Sequence, residues 1–219
     1  LCVRCDAGTQ PDTLLTVCRP CSALGDSFWY SADGSPCVRC AAGQEPNLQR
    51  TGCDPCVGTY SSDGRECLNC APGSEPSAPS AASDCTNCTT ARGASYISAD
   101  GGFCQLCPIG TQPNAEHSEC IACGAGEYSD GSLCQACLPG TQPKNDQGSC
   151  DQCLVIGSNQ YSPDGVACMN CDPGTEPLSD RTGCRNCSSV SDAHISATGD
   201  ICTACVVGKQ PSPGHSHCL

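Results

Sequence analysis

Cysteine spacing constrains what this chain can fold into more than any other feature. Of its 27 cysteines, 26 form thirteen Cys-x-x-Cys pairs spread over the 219 residues. The paired cysteines are Cys2 and Cys5, Cys18 and Cys21, Cys37 and Cys40, Cys53 and Cys56, Cys67 and Cys70, Cys85 and Cys88, Cys104 and Cys107, Cys120 and Cys123, Cys134 and Cys137, Cys150 and Cys153, Cys168 and Cys171, Cys184 and Cys187, and Cys202 and Cys205. Cys218 is left over. We expect it to open a further pair beyond Leu219, which would make the chain a window from a longer array.

The stretches between pairs alternate between two kinds of loop. The Gly-Pro loops have 12 residues, or 14 in one case, with Gly three and Pro six residues after the preceding cysteine. The Tyr loops have 10 to 15 residues, and most read Tyr-Ser-x-Asp-Gly or a close variant before the next pair. The Gly-Pro loops are residues 6–17, 41–52, 71–84, 108–119, 138–149, 172–183 and 206–217; the Tyr loops are 22–36, 57–66, 89–103, 124–133, 154–167 and 188–201. Together they repeat every 30 to 37 residues, which is typical of stacked repeat proteins.

A conventional hydrophobic core is excluded by composition. Leu, Ile, Val and Phe together make up only 29 of the 219 residues. Backbone ordering costs roughly 1–2 kcal/mol per residue, and so little apolar surface does not offset that cost. We therefore predict a small, disulfide-rich fold: an elongated tandem array of loop and β-hairpin modules with essentially no helix, since apolar residues show no helical spacing. The predicted modules are residues 1–36, 37–66, 67–103, 104–133, 134–167, 168–201 and a truncated 202–219.

Charge and hydropathy narrow the expected partners. The net charge is −13 and basic runs are missing, which argues against nucleic acid. The longest aliphatic run is Leu154-Val155-Ile156, so we expect no membrane insertion within this chain. The chain opens at Leu1-Cys2, already inside a cysteine motif, and we expect any secretory leader to have been removed or to lie outside it.

Three kinds of chemistry fit repeated Cys-x-x-Cys pairs. Disulfides closing loops of this size stabilise by roughly 3 kcal/mol each, which supplies what the missing core lacks. Four-thiolate zinc sites fit the spacing, but each adds a net charge of −2 to an acidic chain. Thioredoxin-like redox chemistry needs one pair on a βαβ frame. We favour disulfides, and predict no catalytic site, metal or cofactor.

The disulfide connectivity stays open from spacing alone, because four cysteines allow three pairings. We favour an interlaced pattern, because bridges within a pair would leave modules unconnected. That pattern gives Cys2–Cys18 with Cys5–Cys21, then Cys37–Cys53 with Cys40–Cys56. A frame shifted by one pair is the alternative.

Two segments carry a family resemblance. Cys-Leu-Pro-Gly-Thr-Gln-Pro (137–143) and Val-Gly-Thr-Tyr-Ser-Ser-Asp-Gly-Arg-Glu-Cys (57–67) resemble growth-factor-receptor and ephrin-receptor-like cysteine-rich repeats, and also the tumour-necrosis-factor-receptor module. Long uninterrupted arrays of this kind are similar to protist surface coat antigens and mastigoneme-type filament proteins. The resemblance covers the whole chain and implies an extracellular, elongated, disulfide-rich protein without enzymatic activity.

A few residues stand out as candidate sites. Asn87 and Asn186 lie in the N-x-S/T sequons Asn87-Cys88-Thr89 and Asn186-Cys187-Ser188, which indicate N-glycosylation. Phe28-Trp29-Tyr30 is the candidate interaction patch, because three consecutive aromatic side chains cannot all point inward in so small a module.

Other residue sets have simpler explanations. We expect the five tyrosines to cover the disulfides of their own modules, and five Asp-Gly aspartates to form turns rather than calcium sites. The tyrosines are Tyr30, Tyr60, Tyr96, Tyr128 and Tyr161, with His194 in the sixth slot; the aspartates are Asp33, Asp63, Asp100, Asp130 and Asp164. His215-Ser216-His217 could hold a metal, but a solvated segment explains it more simply.

These observations predict an extracellular, non-enzymatic structural repeat protein at the cell surface. Its expected role is that of a subunit of a surface coat or filament, packing against its own copies or a coat partner and carrying attached glycans. The alternative is a receptor ectodomain that binds a protein ligand.

Overall fold

The computed structural model describes residues 4–25 and 28–219. Within these residues, secondary structure consists of strands of two or three residues and helices of a single turn. The strands form eleven two-stranded sheets, each a hairpin within one loop and its flanking cysteine pair. The predicted fold class, a tandem array of small disulfide-rich hairpin modules, is confirmed.

The Gly-Pro loops form hairpins with three-residue strands. In the first of them Thr9 lies opposite Pro20 and Pro11 opposite Cys18, and the hairpins that begin at Gln44, Ser74, Thr141 and Thr175 have the same register. The paired strands are β1 (Thr9–Pro11) with β2 (Cys18–Pro20), β5 (Gln44–Pro46) with β6 (Cys53–Pro55), β7 (Ser74–Pro76) with β8 (Cys85–Asn87), β11 (Thr111–Pro113) with β12 (Cys120–Ala122), β15 (Thr141–Pro143) with β16 (Cys150–Gln152), and β19 (Thr175–Pro177) with β20 (Cys184–Asn186).

The Tyr loops form shorter hairpins, with two-residue strands. One strand carries the aromatic position and the other lies inside the next Cys-x-x-Cys pair, so that Tyr30 faces Val38 and Tyr161 faces Met169. The paired strands are β3 (Trp29–Tyr30) with β4 (Val38–Arg39), β9 (Tyr96–Ile97) with β10 (Gln105–Leu106), β13 (Glu127–Tyr128) with β14 (Gln135–Ala136), β17 (Gln160–Tyr161) with β18 (Met169–Asn170), and β21 (His194–Ile195) with β22 (Thr203–Ala204).

Helical turns account for the variable length of the Tyr loops. The four loops whose cysteines are 15 or 16 residues apart each begin with a four-residue helical turn. The two loops with a separation of 11 begin without one. The turns are a 3-10 helix (Cys21–Leu24) and the α-helices α1 (Cys88–Ala91), α2 (Cys153–Ile156) and α3 (Cys187–Val190). The extra residues of a long loop are thus taken up next to the cysteine pair and leave the hairpin unchanged.

Each disulfide closes a single loop, and this overturns the interlaced connectivity. The second cysteine of each pair bonds to the first cysteine of the next, as in Cys5–Cys18 and Cys21–Cys37. The further bridges are Cys40–Cys53, Cys56–Cys67, Cys70–Cys85, Cys88–Cys104, Cys123–Cys134, Cys137–Cys150, Cys153–Cys168, Cys171–Cys184, Cys187–Cys202 and Cys205–Cys218; Cys107 and Cys120 are also disulfide-bonded. The frame-shifted alternative is wrong as well, because it too requires interlacing.

The expectation for Cys218 is also wrong. Cys218 bonds to Cys205 and closes the seventh Gly-Pro loop, so it needs no partner beyond Leu219. Cys2 and the bridge predicted for it lie outside the described residues. The predicted module boundaries stay predictions, and the bridge Cys21–Cys37 crosses the first of them.

Sulfur takes the place of a hydrophobic core. Leaving glycine and proline aside, seventeen apolar residues are buried in the described part of the chain, and all but Phe28 and Ala82 are cysteines. In most pairs the second cysteine is the deeper one, and Cys21, Cys88, Cys153 and Cys187 are 0% exposed; the pair Cys202 and Cys205 has the reverse order. Leu, Ile, Val and Met side chains lie instead on the surface, with Leu48 93% exposed.

The chain divides into two compact units. One comprises the described residues up to Leu106 together with Pro113–Cys120, and the other comprises Cys107–Gln112 with Ile121–Leu219. Both units consist of the same alternating hairpins, and every contact discussed below lies within one unit.

The glycine that follows Asp in a Tyr loop packs directly on the cysteine that opens the preceding Gly-Pro loop. Gly165 has φ +79°, and a β-carbon there would collide with the carbonyl oxygen of Cys137. The same carbonyl contact occurs at Gly34, Gly64, Gly101 and Gly199. Gly93 also has a positive φ, +113°, but open space surrounds its missing side chain. A side chain at Gly93 would meet only the strain of a positive φ, whereas a side chain at Gly165 would also collide with a neighbouring carbonyl.

We expect Gly165→Ala to destabilise its hairpin more than Gly93→Ala does. Strain at positive φ costs about 1–3 kcal/mol in either variant, but only Gly165→Ala must also displace the Cys137 carbonyl. Hydrogen exchange of the Ser162 and Gly140 amides would measure the local opening free energy. Equal effects of the two substitutions, each compared on its own hairpin, would contradict close packing at Gly165.

Candidate functional site

The contact between successive hairpins is the most regular feature of the structure. At its centre stands a serine in each Tyr loop, one or two residues after the aromatic position. The six serines are Ser31, Ser61, Ser98, Ser129, Ser162 and Ser196, and each is at most 3% exposed. We call this set the serine ladder.

Each member of the serine ladder joins two Gly-Pro hairpins through its backbone. The Ser162 carbonyl accepts a hydrogen bond from the Gly140 amide at 2.7 Å, and the Ser162 amide donates to the Arg181 carbonyl at 2.9 Å. Gly140 belongs to the preceding Gly-Pro loop and Arg181 to the following one. The same two bonds recur at every other member, with lengths of 2.7–3.0 Å. Hairpins that share no disulfide are therefore joined by buried backbone hydrogen bonds.

The turn of each Gly-Pro loop contains a non-glycine residue in the left-handed region. These residues are Leu15, Arg50, Ala81, His117, Gln147, Arg181 and His215, with φ between +51° and +59°. Left-handed backbone costs about 1–2 kcal/mol for such residues. The same conformation occurs in all seven Gly-Pro loops, including that of Leu15, which is bonded to no member of the serine ladder, so it belongs to the hairpin turn itself.

Long side chains at this turn position reach back to the preceding Tyr hairpin. The Arg181 guanidinium donates to the carbonyls of Ser158 at 2.6 Å and Gln160 at 3.1 Å. His117 Nδ1 donates to the Tyr96 carbonyl at 2.8 Å, and His215 Nδ1 to the His194 carbonyl at 2.7 Å. A carbonyl oxygen only accepts, so both histidines carry a proton on Nδ1.

Gln147 and Arg50 make the same contact in their own repeats. The Gln147 amide donates to the carbonyls of Gly124 and Glu127, and Arg50 to that of Trp29. Five of the seven turn residues thus use their side chains to hold the Tyr hairpin in front of them. Arginine, histidine and glutamine share this role because each offers N–H donors at the end of a long side chain.

A second recurrent contact comes from the Gly-x-(Gln/Glu)-Pro segment at the start of each Gly-Pro hairpin. Its Gln or Glu side chain accepts a hydrogen bond from the amide of the cysteine that closes the following Tyr loop. The six bonds are Gln10 to Cys37, Glu45 to Cys67, Glu75 to Cys104, Gln112 to Cys134, Gln142 to Cys168 and Glu176 to Cys202, at 2.7–2.9 Å. A side-chain oxygen thus satisfies a backbone donor that the short strands leave without a partner.

Two of these carboxylates are buried and paired with arginine. Glu75 and Glu176 are each 5% exposed. Arg92 Nε donates to Glu75 at 2.9 Å, and Arg185 Nε to Glu176 at 2.7 Å. Burial raises the pKa of Glu176. The Cys202 amide and the Arg185 guanidinium together lower that pKa by more than burial raises it, so it lies below the ordinary 4.5. The Glu75 carboxylate raises the pKa of Arg92.

The Asp-Gly aspartates form turns, as predicted. Each accepts a hydrogen bond at 2.9–3.3 Å from the backbone amide two residues later, within its own Tyr loop. The Ser35 side chain and amide lower the pKa of Asp33, and Ser132 does the same for Asp130. These carboxylates are therefore engaged in local turn formation.

The predicted aromatic patch is divided between interior and surface. Phe28 is 3% exposed, because the guanidinium groups of Arg39 and Arg65 lie over its ring at 4.8 and 4.5 Å. Phe28 thus makes cation–π contacts with Arg39, which follows it in the same hairpin, and with Arg65 of the next Tyr loop, and it is not an exposed contact residue. Trp29 and Tyr30 are half-buried, as are the other four tyrosines, and each keeps part of its ring open to solvent.

The remaining predicted sites are found on the surface or in disulfides. Asn87 and Asn186 are exposed, at the ends of β8 and β20. One cluster in the described residues has metal-ligand geometry, Cys123 with Glu127 and Cys134, but its two cysteines are bonded to each other and offer no thiolate. His215 is held by the His194 carbonyl, as described above.

The sequence carried partial signals for the residues that were missed. Gln or Glu stands two residues after the glycine in all seven Gly-Pro loops, a regularity visible before folding. Serine before the Asp-Gly or Thr-Gly turn is equally regular. The turn position had no such signal, because Leu, Arg, Ala, His and Gln all occupy it and only the backbone angle is constant.

Comparison with models of known protein families found no match, and neither did comparison with curated proteins. The resemblance to receptor-like and coat-like repeats therefore rests on the segments quoted above. Among the described residues, no helix has both the length and the apolar character that crossing a lipid bilayer requires.

We expect substitutions of Arg181 to distinguish two contributions to the stability of the contact: the left-handed backbone at this residue and the hydrogen bonds of its side chain. Arg181→Ala loses the bonds to Ser158 and Gln160 but keeps the left-handed strain, whereas Arg181→Gly loses the bonds and relieves the strain. The Ser162 amide should lose protection against exchange most in the Ala variant, less in the Gly variant by about 1 kcal/mol, and least in Arg181→Gln.

Gln147 already fills this role one repeat earlier, which makes Arg181→Gln the matched control. Identical protection of the Ser162 amide in all four proteins would show that the side chain contributes nothing to the contact.

We expect the Cys202 amide to become less protected in acid because of Glu176. The folded-state pKa of Glu176 is lowered, so its contribution is present at neutral pH and is lost as pH falls through that pKa. Glu176→Gln keeps an acceptor for Cys202 but no charge for Arg185, so the variant should be less stable at neutral pH and equal to the parent in acid.

Protection factors of the Cys202 amide across a pH series measure this difference. Gln142→Glu is the control, because it places a carboxylate opposite Asp151 where no arginine is paired with it. This substitution should destabilise its own hairpin at neutral pH through repulsion between like charges. If the Cys202 protection factor differed between the parent and Glu176→Gln by the same amount at every pH, an electrostatic role for Glu176 would be excluded.

Proposed function

We propose that this chain is an extracellular structural repeat protein, a subunit of a surface coat or filament that acts by packing against other proteins, first of all its own copies. The observation that carries the proposal is the repeated contact between hairpins, built from the serine ladder and the strained turns. The disulfide-rich repeat architecture is that of extracellular structural proteins and receptor ectodomains, since disulfides of this density persist in oxidising surroundings.

The chemically reactive side chains support a structural role. All cysteines from Cys5 to Cys218 are in disulfides, and His117 and His215 are bonded to backbone carbonyls. The buried carboxylates Glu75 and Glu176 accept hydrogen bonds from cysteine amides. These groups maintain the array, which leaves the outer surface to carry the function.

That surface supplies apolar contact area. Leu154 and Val155, in α2, are 55% and 77% exposed, and Leu14 in the first Gly-Pro loop is 76% exposed. The corresponding positions of α3 hold Ser188 and Ser189, also exposed, so the fold itself does not require apolar side chains there. Apolar residues at positions that accept serine favour contact with another protein.

We expect the purified chain to self-associate in a salt-dependent way. A net charge of −13 makes copies repel one another, so screening by salt should promote association. Sedimentation velocity at low and at near-physiological ionic strength, followed by electron microscopy, would measure it. The double variant Leu154→Ser/Val155→Ser, which copies the sequence of α3, should fold normally and associate more weakly.

Ser189→Ala, which lies in α3 but leaves the Asn186-Cys187-Ser188 sequon intact, is the matched control and should associate like the parent. A chain that stays monomeric at every salt and protein concentration, yet binds one soluble protein tightly, would overturn the proposal in favour of a receptor ectodomain.

A further inference from the structure

Two asparagines occupy the same structural position in different repeats. Asn87 ends β8 and directly precedes α1, and Asn186 ends β20 and directly precedes α3. Both have extended backbone angles, φ −60° and ψ 141° for Asn87 and φ −65° and ψ 140° for Asn186. Each is followed by a cysteine that is 0% exposed and then by an exposed Thr89 or Ser188.

The equivalent position is open to solvent in every repeat where it can be compared. It is exposed at Pro20, Pro55, Asn87, Ala122, Gln152 and Asn186, so residues as different as proline, alanine and glutamine fit there. An added group that extends outward from this position therefore meets no part of its own hairpin. The fold tolerates a large substituent at this place without rearrangement.

The side chain of Asn87 is oriented for such a substituent. Its Oδ1 accepts a hydrogen bond from Ser74 Oγ at 3.0 Å, and this bond involves only the oxygen of the amide. Nδ2 is a separate substituent of the same planar amide carbon and takes no part in that bond. The hydrogen bond to Ser74 is therefore compatible with a covalent bond at Nδ2.

We propose that Asn87 and Asn186 carry N-linked oligosaccharides, attached before the disulfides Cys88–Cys104 and Cys187–Cys202 close. In the transfer, Nδ2 loses a proton to a transferase base and forms a bond to C1 of the sugar. The C1–oxygen bond to a lipid diphosphate donor breaks, and the diphosphate leaves with the electron pair. Donor and transferase come from the secretory pathway, so this inference rests on the extracellular location in the proposed function.

The order of events follows from the burial of the central cysteine. In the folded chain, Asn87 and Thr89 are exposed but Cys88 between them is held inside by its bridge to Cys104, 16 residues later. A transferase that must bind the whole tripeptide has access only until that bridge forms. The same holds for Cys187, whose partner Cys202 follows 15 residues later. Disulfide closure and glycan transfer therefore compete.

The chain contains its own control asparagines. Asn69 and Asn170 are also exposed and also directly precede a buried cysteine, but Ala71 and Asp172 stand where the sequon needs Ser or Thr. They share the local chemistry of Asn87 and Asn186 and differ in the residue after the cysteine. Any modification that merely follows exposure would appear at all four.

The test is intact mass measurement of the full chain secreted from eukaryotic cells behind a cleavable leader. We expect mass increments that a peptide-N-glycanase removes, that Asn87→Gln and Asn186→Gln each reduce by one oligosaccharide, and that Asn69→Gln and Asn170→Gln leave unchanged. Thr89→Ala should abolish the Asn87 increment and Thr89→Ser should retain it. A mild reductant during synthesis should raise occupancy at both sites.

Secreted, fully disulfide-bonded protein without glycan at either site, with and without reductant, would overturn this inference and leave the proposed function intact. Oligosaccharide on Asn69 or Asn170 would also overturn it. Protein that reaches the secretory pathway but keeps free thiols would instead count against the extracellular function itself.

Discussion

Closure of each loop by one disulfide is the constraint on which the rest of the structure depends. Each bridge holds the Cα atoms of its two cysteines 5.5–5.9 Å apart at the base of its loop. Strands of two or three residues are too short to pair stably by themselves in water. With both ends fixed, the strands meet in one register, and the buried sulfur atoms provide the interior that 29 large aliphatic and Phe residues cannot.

A bridge confined to one loop does nothing to join neighbouring loops, so another interaction must. Backbone hydrogen bonds at the serine ladder fill that role, helped by the side chains of the strained turn residues. Covalent bonds therefore act within hairpins and hydrogen bonds act between them. Each hairpin contacts its neighbours in sequence, and stability is then expected to follow nearest-neighbour terms, as in other repeat proteins.

The parts of the fold that were predictable are those that depend on residue identity alone. Cysteine spacing, the Asp-Gly turns and the two kinds of loop follow from fixed residue types, and the structure has all three. The pairing of cysteines was not predictable, because the sequence permits several connectivities and the choice depends on three-dimensional packing. Interlaced bridges are not needed to connect successive hairpins, because backbone hydrogen bonds at the serine ladder do so.

The contact between repeats was less visible for a related reason. The Gln or Glu after each Gly-Pro glycine is regular in sequence, but its target is a backbone amide, which carries no sequence signal. At the turn position, Arg181 and Gln147 both donate hydrogen bonds to carbonyls of the preceding Tyr hairpin. Because the two residue types differ, the sequence does not show that they share this role. The length of a Tyr loop alone does not predict its structure; the structure shows that the longer Tyr loops begin with helical turns.

Comparison of the repeats with one another shows where function can vary. Residues that recur in every repeat, the cysteines, ladder serines and turn glycines, are mostly buried or hold the backbone in place. Residues that differ, such as Leu154-Val155 against Ser188-Ser189 or Gln152 against Asn186, are exposed. Because the interior contains little besides sulfur and backbone hydrogen bonds, surface residues can change without repacking a core. An array of this kind keeps one scaffold while each repeat presents its own apolar, charged or sequon-bearing surface.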